Sequence, residues 1–105
     1  MNGAELITTE RQRQIDVEGW TPEHDDGHEE GELAAAACCY AYQAFSPLIA
    51  ETTPLEDEEI INSLWPAWWD IKWWKPSPDP IRNLVKAGAL IAAEIDRLQR
   101  KAGKG

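Results

Sequence analysis

The pattern that most constrains the fold is an apolar stripe near the carboxyl-terminal end of the chain. Apolar or small residues recur there at positions 81, 84, 85, 88, 91, 92, 95 and 98, a spacing typical of one face of an amphipathic helix. Pro78-Asp79-Pro80 precedes the stripe and supplies an N-cap aspartate and a proline at the first helical position. The sequence therefore predicts a core helix over 80–100 with this stripe facing inward. Leu90 lies off the stripe and indicates a second buried surface.

A second core helix is predicted over 28–44. Asp26 and Glu29 form a capping pattern before it, and Ser46-Pro47 is expected to end it. Its buried stripe is predicted to hold Leu33, Ala36, Ala37, Tyr40, Ala41 and Ala44. Because small side chains let helices approach closely, we expect this alanine face to pack antiparallel against Gly88 and Ala92.

Shorter helices complete the predicted fold. Residues 5–18 favour a helix that Gly19 closes, since glycine tolerates the positive φ of a helix C-cap. Thr53-Pro54 starts another helix, which Pro66 limits to 54–64. Alanine, leucine and glutamate are plentiful and β-branched residues are sparse, which favours helix over strand. We expect one all-α domain over 1–105, with residues 1–4 and 101–105 disordered.

Residues 65–76 hold five tryptophans within ten positions, with prolines at 66 and 76. Tryptophan buries a large area and needs a partner for its N–H, so some of these rings should lie at a partly wet boundary. We expect the segment to wrap the helix pair and complete a small core. The alternative is an aromatic wall for a planar ligand or a partner chain.

Charge is divided unevenly along the chain, whose net charge is −9. Residues 1–71 carry sixteen acidic side chains against two arginines, and residues 72–105 carry eight basic ones against three acidic ones. This division favours pairing of the chain with itself as a homo-oligomer, although it also serves solubility. The acidic balance argues against a general nucleic-acid binder.

Membrane and secretion signals are absent from the sequence. No run of 18 apolar residues and no basic-then-apolar amino terminus occur, so we expect a cytoplasmic protein with no membrane segment. Cys38 and Cys39 lie in an apolar run and are expected to be buried, reduced thiols.

An acidic, histidine-containing cluster occupies residues 23–32. It offers candidate ligands for Mg²⁺ or Mn²⁺, namely Asp25, Asp26, His28, Glu29 and Glu32. An acidic loop before a helix start explains the same carboxylates without a metal. Glu29 and Glu32 match half of the Glu-x-x-Glu and Glu-x-x-Asp pattern of all-α nucleotide pyrophosphohydrolases, but no Glu-x-x-Asp follows on the last helix.

Four stretches between roughly residues 9 and 100 form a recognisable pattern: ERQRQIDVEGWTPEHDD, GELAAAACCYA, the WW-KP step and RNLVKAGALIAAEIDRLQR. In this pattern the chain resembles a family of small proteins encoded by bacteriophages and prophages. Small acidic phage proteins often block host defences, so the resemblance implies a protein that binds a defence protein or sequesters a nucleotide-derived immune signal in the host cytoplasm.

Three function classes follow from these patterns. The first is a non-catalytic binder of a nucleotide-like molecule, in which aromatic rings stack on a base and basic groups meet phosphates. Its predicted site holds Arg11, Arg13, Trp20, His24, Asp25, Trp73, Trp74, Lys75, Arg82 and Lys86, with Arg82 as a phosphate clamp. Trp68 and Trp69 are predicted to belong to the same aromatic wall. The second is an acidic inhibitor that binds a host defence or nucleic-acid-processing protein. The third is a metal-dependent nucleotide pyrophosphohydrolase that uses the 23–32 cluster.

Overall fold

The computed structural model of the chain describes residues 1–49 and 57–103. Within these ranges the chain forms five α-helices and no strand, so the predicted all-α fold is confirmed. The helices are α1 (Gly3–Glu18), α2 (Pro22–Asp26), α3 (Glu32–Ile49), α4 (Asp57–Leu64) and α5 (Pro80–Lys101), with a 3-10 turn over Ile71–Trp73 before α5.

The core lies between α3 and α5, which run antiparallel. Arg100, near the end of α5, binds Asp26 just before α3, whereas Lys86, in the first half of α5, lies over the ring of Tyr40 in the middle of α3. The buried cluster contains Leu33, Ala36, Ala37, Cys39, Tyr40, Ala87, Leu90 and Ala93 among others. The predicted pairing of two core helices is therefore confirmed.

The prediction of which α5 face is buried is wrong except at Val85, which is buried. The large residues of the predicted stripe, Ile81, Leu84, Ile91, Ile95 and Leu98, are between 48 % and 61 % exposed. The buried face instead centres on Leu90, the residue off the stripe, with Ala87 and Ala93 beside it. Its polar members Glu94 and Arg97 can be buried because they bind each other, with Arg97 Nε 2.6 Å from Glu94 Oε1.

The sequence predicted that Gly88 packs against the alanine face of α3, but it packs against α1 instead. It makes close contact with Ile7 of α1, since a Cβ built on Gly88 would lie 2.5 Å from Ile7 Cδ1. On the same helix α1, Glu10 and Gln14 are buried. The α1–α5 interface therefore combines an apolar contact with a buried polar patch.

Two helix starts differ from prediction. The sequence predicted disorder over residues 1–4, but α1 already begins at Gly3, because Asn2 and Glu5 form a capping box. The helix predicted from residue 28 begins only at Glu32, after Gly31 with a φ of +83°. Thr21 and Pro22 instead start the short helix α2, with Thr21 accepting a hydrogen bond from the backbone N–H of His24.

Other boundaries bear on the predictions in different ways. Gly19 closes α1 with a φ of +75°, as predicted. Ser46-Pro47 does not end α3, which continues to Ile49, because a proline in the last turn removes only one donor from a helix that is otherwise packed. The predicted helix start at Thr53-Pro54 lies outside the described residues, as do residues 104–105 of the predicted disordered tail.

Residues 65–76 wrap the α3–α5 pair. Trp65 is buried, and Trp69, Trp73 and Trp74 pack against the core from outside. No helix in the described part of the chain is long and apolar enough to cross a membrane. One thiol departs from expectation, because Cys38 is exposed while Cys39 is buried.

Candidate ligand-binding site

An open aromatic cleft of about 220 Å³ lies between α2, the start of α3 and the wrapping segment. It is lined by Trp20, His24, His28, Leu33, Trp68, Trp69, Asp70 and Trp73, and this set is called the aromatic cleft. Aromatic walls with a few polar groups are typical of small-molecule sites.

Local chain geometry brings the two walls together. The N-cap and proline at the start of α2 turn the chain after Trp20, so that His24 and then His28 follow on one side. The wrapping segment supplies the opposite wall, where Trp69 meets the edge of His28 with ring centroids 5.1 Å apart. Trp73 meets Trp20 in the same edge-on manner at 5.9 Å. These contacts hold the rings in defined orientations.

The two histidines share one arrangement. Nδ1 of His24 lies 3.3 Å from Asp25 Oδ1, and Nδ1 of His28 lies 3.3 Å from Glu32 Oε2. Both carboxylates belong to buried residues. A carboxylate beside Nδ1 accepts a hydrogen bond from that nitrogen when it carries a proton. The two Nε2 atoms lie 3.5 Å apart, and the tautomers decide which of them donates or accepts.

Asp25 and Arg11 form the support beneath this pair. The guanidinium of Arg11 binds the fully buried carboxylate of Asp25 and also donates to the backbone carbonyl of Trp20 at 3.0 Å. These bonds fix α2 and Trp20 to α1. Both residues were predicted to bind ligand, and the structure places them behind the cleft rather than in its lining.

Most of the predicted phosphate-binding cations have internal partners. Arg13 binds Glu10 through two nitrogens and also reaches Glu18, and Arg82 Nη1 lies 2.7 Å from Glu10 Oε1. Lys86 donates to the backbone carbonyl of Lys75 at 2.7 Å. Burial lowers the pKa of the Lys86 ammonium, and the nearby Arg82 lowers it further.

A second, much smaller pocket of about 30 Å³ collects several of these residues. Arg13, Lys75 and Lys86 line it together with Trp20 and Trp73, which also line the aromatic cleft. The two rings therefore separate the cleft from a pocket with room for about one water molecule. Trp74, another predicted ligand contact, lines neither pocket and packs against Tyr40 and Trp65.

Two lysines lie beside Trp73, which lines the aromatic cleft. The Nζ atoms of Lys72 and Lys75 each lie 5.5 Å from the Trp73 ring centroid, within the range of a cation–π contact. Lys75 was predicted as a site residue. Lys72 and Asp70 were not, although the position of Asp70 directly before Ile71-Lys72 is an N-cap signal, and its side chain accepts from the Lys72 N–H at 3.0 Å.

The predicted metal ligands do not converge. Asp25 binds Arg11, Asp26 binds Arg100, and Glu29 is exposed. Burial would raise the pKa of Glu32, but backbone hydrogen bonds from Glu32 and Glu30 outweigh it, so the net pKa is lowered. In residues 1–49 and 57–103, no group of three or more His, Cys, Asp or Glu side chains is placed to hold a metal ion. The geometry thus gives no support to the predicted Mg²⁺ or Mn²⁺ site.

Of the residues predicted to bind a ligand, the aromatic cleft brings together Trp20, His24, Trp68, Trp69 and Trp73, and it adds His28. Comparisons with protein-family models, with curated proteins and with solved structures found no match for the chain.

Proposed function

We propose that the protein is a non-catalytic binding protein whose aromatic cleft takes a nucleotide-like ligand. The carrying observation is that aromatic walls and two imidazoles, whose Nε2 atoms lie 3.5 Å apart, occupy one cleft. A nucleobase stacks on the tryptophan walls, as bases do on aromatic side chains in general. The facing Nε2 atoms of His24 and His28 accept hydrogen bonds from the vicinal hydroxyls of a ribose.

The size and charge of the cleft set the pose. Its volume of about 220 Å³ is below the range of roughly 300–1,000 Å³ common for drug-sized ligands. Base and sugar therefore lie inside, and the phosphates project past Trp73 toward Lys72 and Lys75. Arg13 and Arg82, which bind Glu10, make no contact with the ligand in this pose.

Binding is favoured over hydrolysis because the two buried carboxylates beside the cleft are engaged. Asp25 binds Arg11, and Glu32 accepts hydrogen bonds from the Glu30 N–H and from Trp68 Nε1. Neither of these two is free to activate a water molecule. The exposed carboxylate of Asp70, which lines the cleft, accepts a hydrogen bond from the backbone N–H of Lys72. Together with the resemblance to small phage proteins, this supports sequestration of a nucleotide-derived signal in the host cytoplasm.

The test is a titration with the four common ribonucleoside diphosphates and with their 2′,3′-dideoxy counterparts, followed by calorimetry and tryptophan fluorescence. We expect at least one ribonucleotide to bind, and its dideoxy counterpart to bind about tenfold or more weakly, because the imidazole acceptors lose their donors. Equal affinity for the two would contradict the assigned role of the histidines.

A pair of variants localises the binding. Trp68 lines the cleft and is 64 % exposed, and Ile71, similarly exposed at 57 %, does not line it. Trp68→Ala should weaken binding by about tenfold or more, since base stacking contributes roughly 1–3 kcal/mol, whereas Ile71→Ala should leave it unchanged. If no diphosphate binds at millimolar concentration, or if added magnesium produces turnover seen by mass spectrometry, the proposal is wrong.

A further inference from the structure

The apolar residues exposed on α5 follow a heptad pattern. They are Ile81, Leu84, Ile91, Ile95 and Leu98, and with Gly88 they alternate at spacings of three and four residues, like the a and d positions of a coiled coil. This set of six residues is called the exposed seam. Because its members lie along one line of the helix, the seam has the form of a surface made to meet another helix.

A second stripe of small or apolar residues lies on α3. Ala34, Cys38 and Phe45 are exposed and Ala41 is half-buried, again at spacings of three and four residues. At 100° per residue, the α3 stripe is turned roughly 120° around the helix axis from the core residue Tyr40. The α5 seam is turned by about the same angle from the core residue Leu90. Since α3 and α5 are antiparallel and both stripes are turned in the same rotational sense, both lie on the same side of the helix pair. The pair presents one continuous apolar face.

We propose that this face binds a second copy of the chain, with the two α5 helices antiparallel, to form a four-helix dimer with the two α3 helices. This inference is independent of the ligand proposed for the aromatic cleft.

The exposed seam is complementary to the same seam of a second copy when the two α5 helices run antiparallel. In an antiparallel pair, Ile81 meets Leu98 of the second copy, Leu84 meets Ile95, and Gly88 meets Ile91, all in a single register. Ile7 of α1 covers Gly88, so the central layer places Ile91 against Ile7 above the glycine. A large side chain then fills each layer, as close packing at an interface requires.

Charges at the ends of the seam select the same orientation. Asp79 precedes α5 and Lys101 ends it, and both are exposed. Antiparallel pairing places Asp79 of one copy near Lys101 of the other at both ends, and it also opposes the helix dipoles. Parallel pairing would bring like charges together. A partner unrelated to this chain would have no reason to match the reversed seam in both shape and charge.

The area of the face also fits a dimer. Its exposed aliphatic residues and Phe45 present on the order of 500 Å² of apolar surface, which is near the upper end for a monomer. A stable interface buries ~800 Å² per partner, so these residues alone would supply more than half of it. An unpaired face of this size is a liability that a second copy removes.

Sedimentation equilibrium of the full chain tests the proposal. We expect the mass to reach twice 11.8 kDa as the concentration is raised to about 100 µM. Ile91→Asp puts a charge at the centre of the seam and should shift the protein to monomer. Val17→Asp, at an apolar residue of α1 that is 71 % exposed and outside the seam, should leave the dimer intact. A monomeric native chain, or a dimer that Ile91→Asp leaves unchanged, overturns the proposal.

Crosslinking tests the orientation and does not depend on Ile91→Asp folding. In a Cys38→Ser background, chains carrying Ile81→Cys and chains carrying Leu98→Cys should form a disulfide when mixed and oxidised, since the paired Cα atoms must approach within about 7 Å. Each chain alone should crosslink poorly. Efficient crosslinking of each chain alone, or none in the mixture, contradicts the antiparallel register.

Discussion

Arg82 Nη1 lies 2.7 Å from Oε1 of Glu10, a residue only 2 % exposed at the α1–α5 interface. Arg13 binds the same carboxylate through Nε at 2.8 Å and Nη2 at 2.9 Å. Two cations on different helices thus satisfy one buried anion, which joins the start of α5 to the middle of α1. The predicted phosphate-clamp role of Arg82 remains a prediction, whereas its pairing with Glu10 is a structural feature.

Replacing Arg82 with alanine should lower the free energy of unfolding by about 1–2 kcal/mol. A buried carboxylate that loses a cationic partner is costly, but Arg13 remains and Arg82 is partly exposed, so the loss should stay below the ~3–5 kcal/mol of an isolated buried pair. Urea denaturation measures the change. Lys72→Ala, at an exposed lysine, serves as the control and should cost less than about 0.5 kcal/mol. If the two variants lower the free energy of unfolding equally, Arg82 has no structural role of this kind.

Glu10 should also make stability depend on acid pH. Burial would raise the pKa of Glu10, but hydrogen bonds and charge from Arg13 and Arg82 outweigh it and hold the pKa below the ordinary glutamate value of 4.5. A group with a lowered folded-state pKa contributes stability above its unfolded-state pKa and loses it as pH falls. We therefore expect stability to decline below about pH 4.5, and the decline should be shallower in Glu10→Gln. An identical pH profile for both proteins would contradict the lowered pKa.

The helices were predictable because their signals are local. Asp79-Pro80 starts α5 and Gly19 closes α1 as predicted, since caps depend on a few neighbouring residues. The buried face of α5 was not predictable in this way. Periodicity finds the more apolar face, but the core is built on Leu90 with small residues and the Glu94–Arg97 pair, which resemble a solvent face in sequence.

The candidate site was predictable in part. Trp20, His24 and Trp73 were expected in a ligand site and line the cleft, because aromatic side chains near a turn are visible in the sequence. The cations were harder to place. Arg11 and Arg13 lie on α1, but their partners Asp25 and Glu10 are buried acids, and sequence spacing cannot show that an acidic side chain will be buried beside a given arginine.

Gly88→Ala should destabilise the protein, although alanine favours a helix more than glycine. The added Cβ would lie 2.5 Å from Cδ1 and 2.8 Å from Cγ1 of Ile7, and overpacking costs about 1–3 kcal/mol against a helix-propensity gain of about 1 kcal/mol. Combining it with Ile7→Ala should relieve the clash. A double-mutant cycle by urea denaturation should give a coupling above about 0.5 kcal/mol. Stabilisation by Gly88→Ala alone would contradict this contact.

The adjacent cysteines should differ in reactivity. Cys38 is exposed, whereas Cys39 is fully buried, and burial, with a smaller contribution from Cys38, raises the pKa of Cys39 to about 11. The proposed dimer covers Cys38, so the comparison is made in the monomeric Ile91→Asp chain. Since the thiolate is the reactive form, a thiol reagent at neutral pH should modify Cys38 of that chain quickly and Cys39 only after denaturation. Cys38→Ser should abolish the fast phase, and Cys39→Ser should preserve it. A fast phase that survives Cys38→Ser would show that Cys39 is accessible.

Tyr40→Phe tests how the wrapping segment is held in place. The Tyr40 hydroxyl donates to the backbone carbonyl of Trp73 at 3.2 Å and accepts from the N–H of Lys75 at 3.1 Å, so one side chain of α3 fixes the backbone on both sides of Trp74. Phenylalanine keeps the ring but leaves both backbone groups without this partner, which should lower the free energy of unfolding by about 1–3 kcal/mol. Because Trp73 is a wall of the aromatic cleft, the affinity for a bound ribonucleotide should fall in parallel. Ser63→Ala, which removes an exposed hydroxyl bonded within α4, is the control and should change neither quantity. A Tyr40→Phe protein with unchanged stability would mean that the packing of the tryptophans alone, and not this hydroxyl, holds the segment against α3.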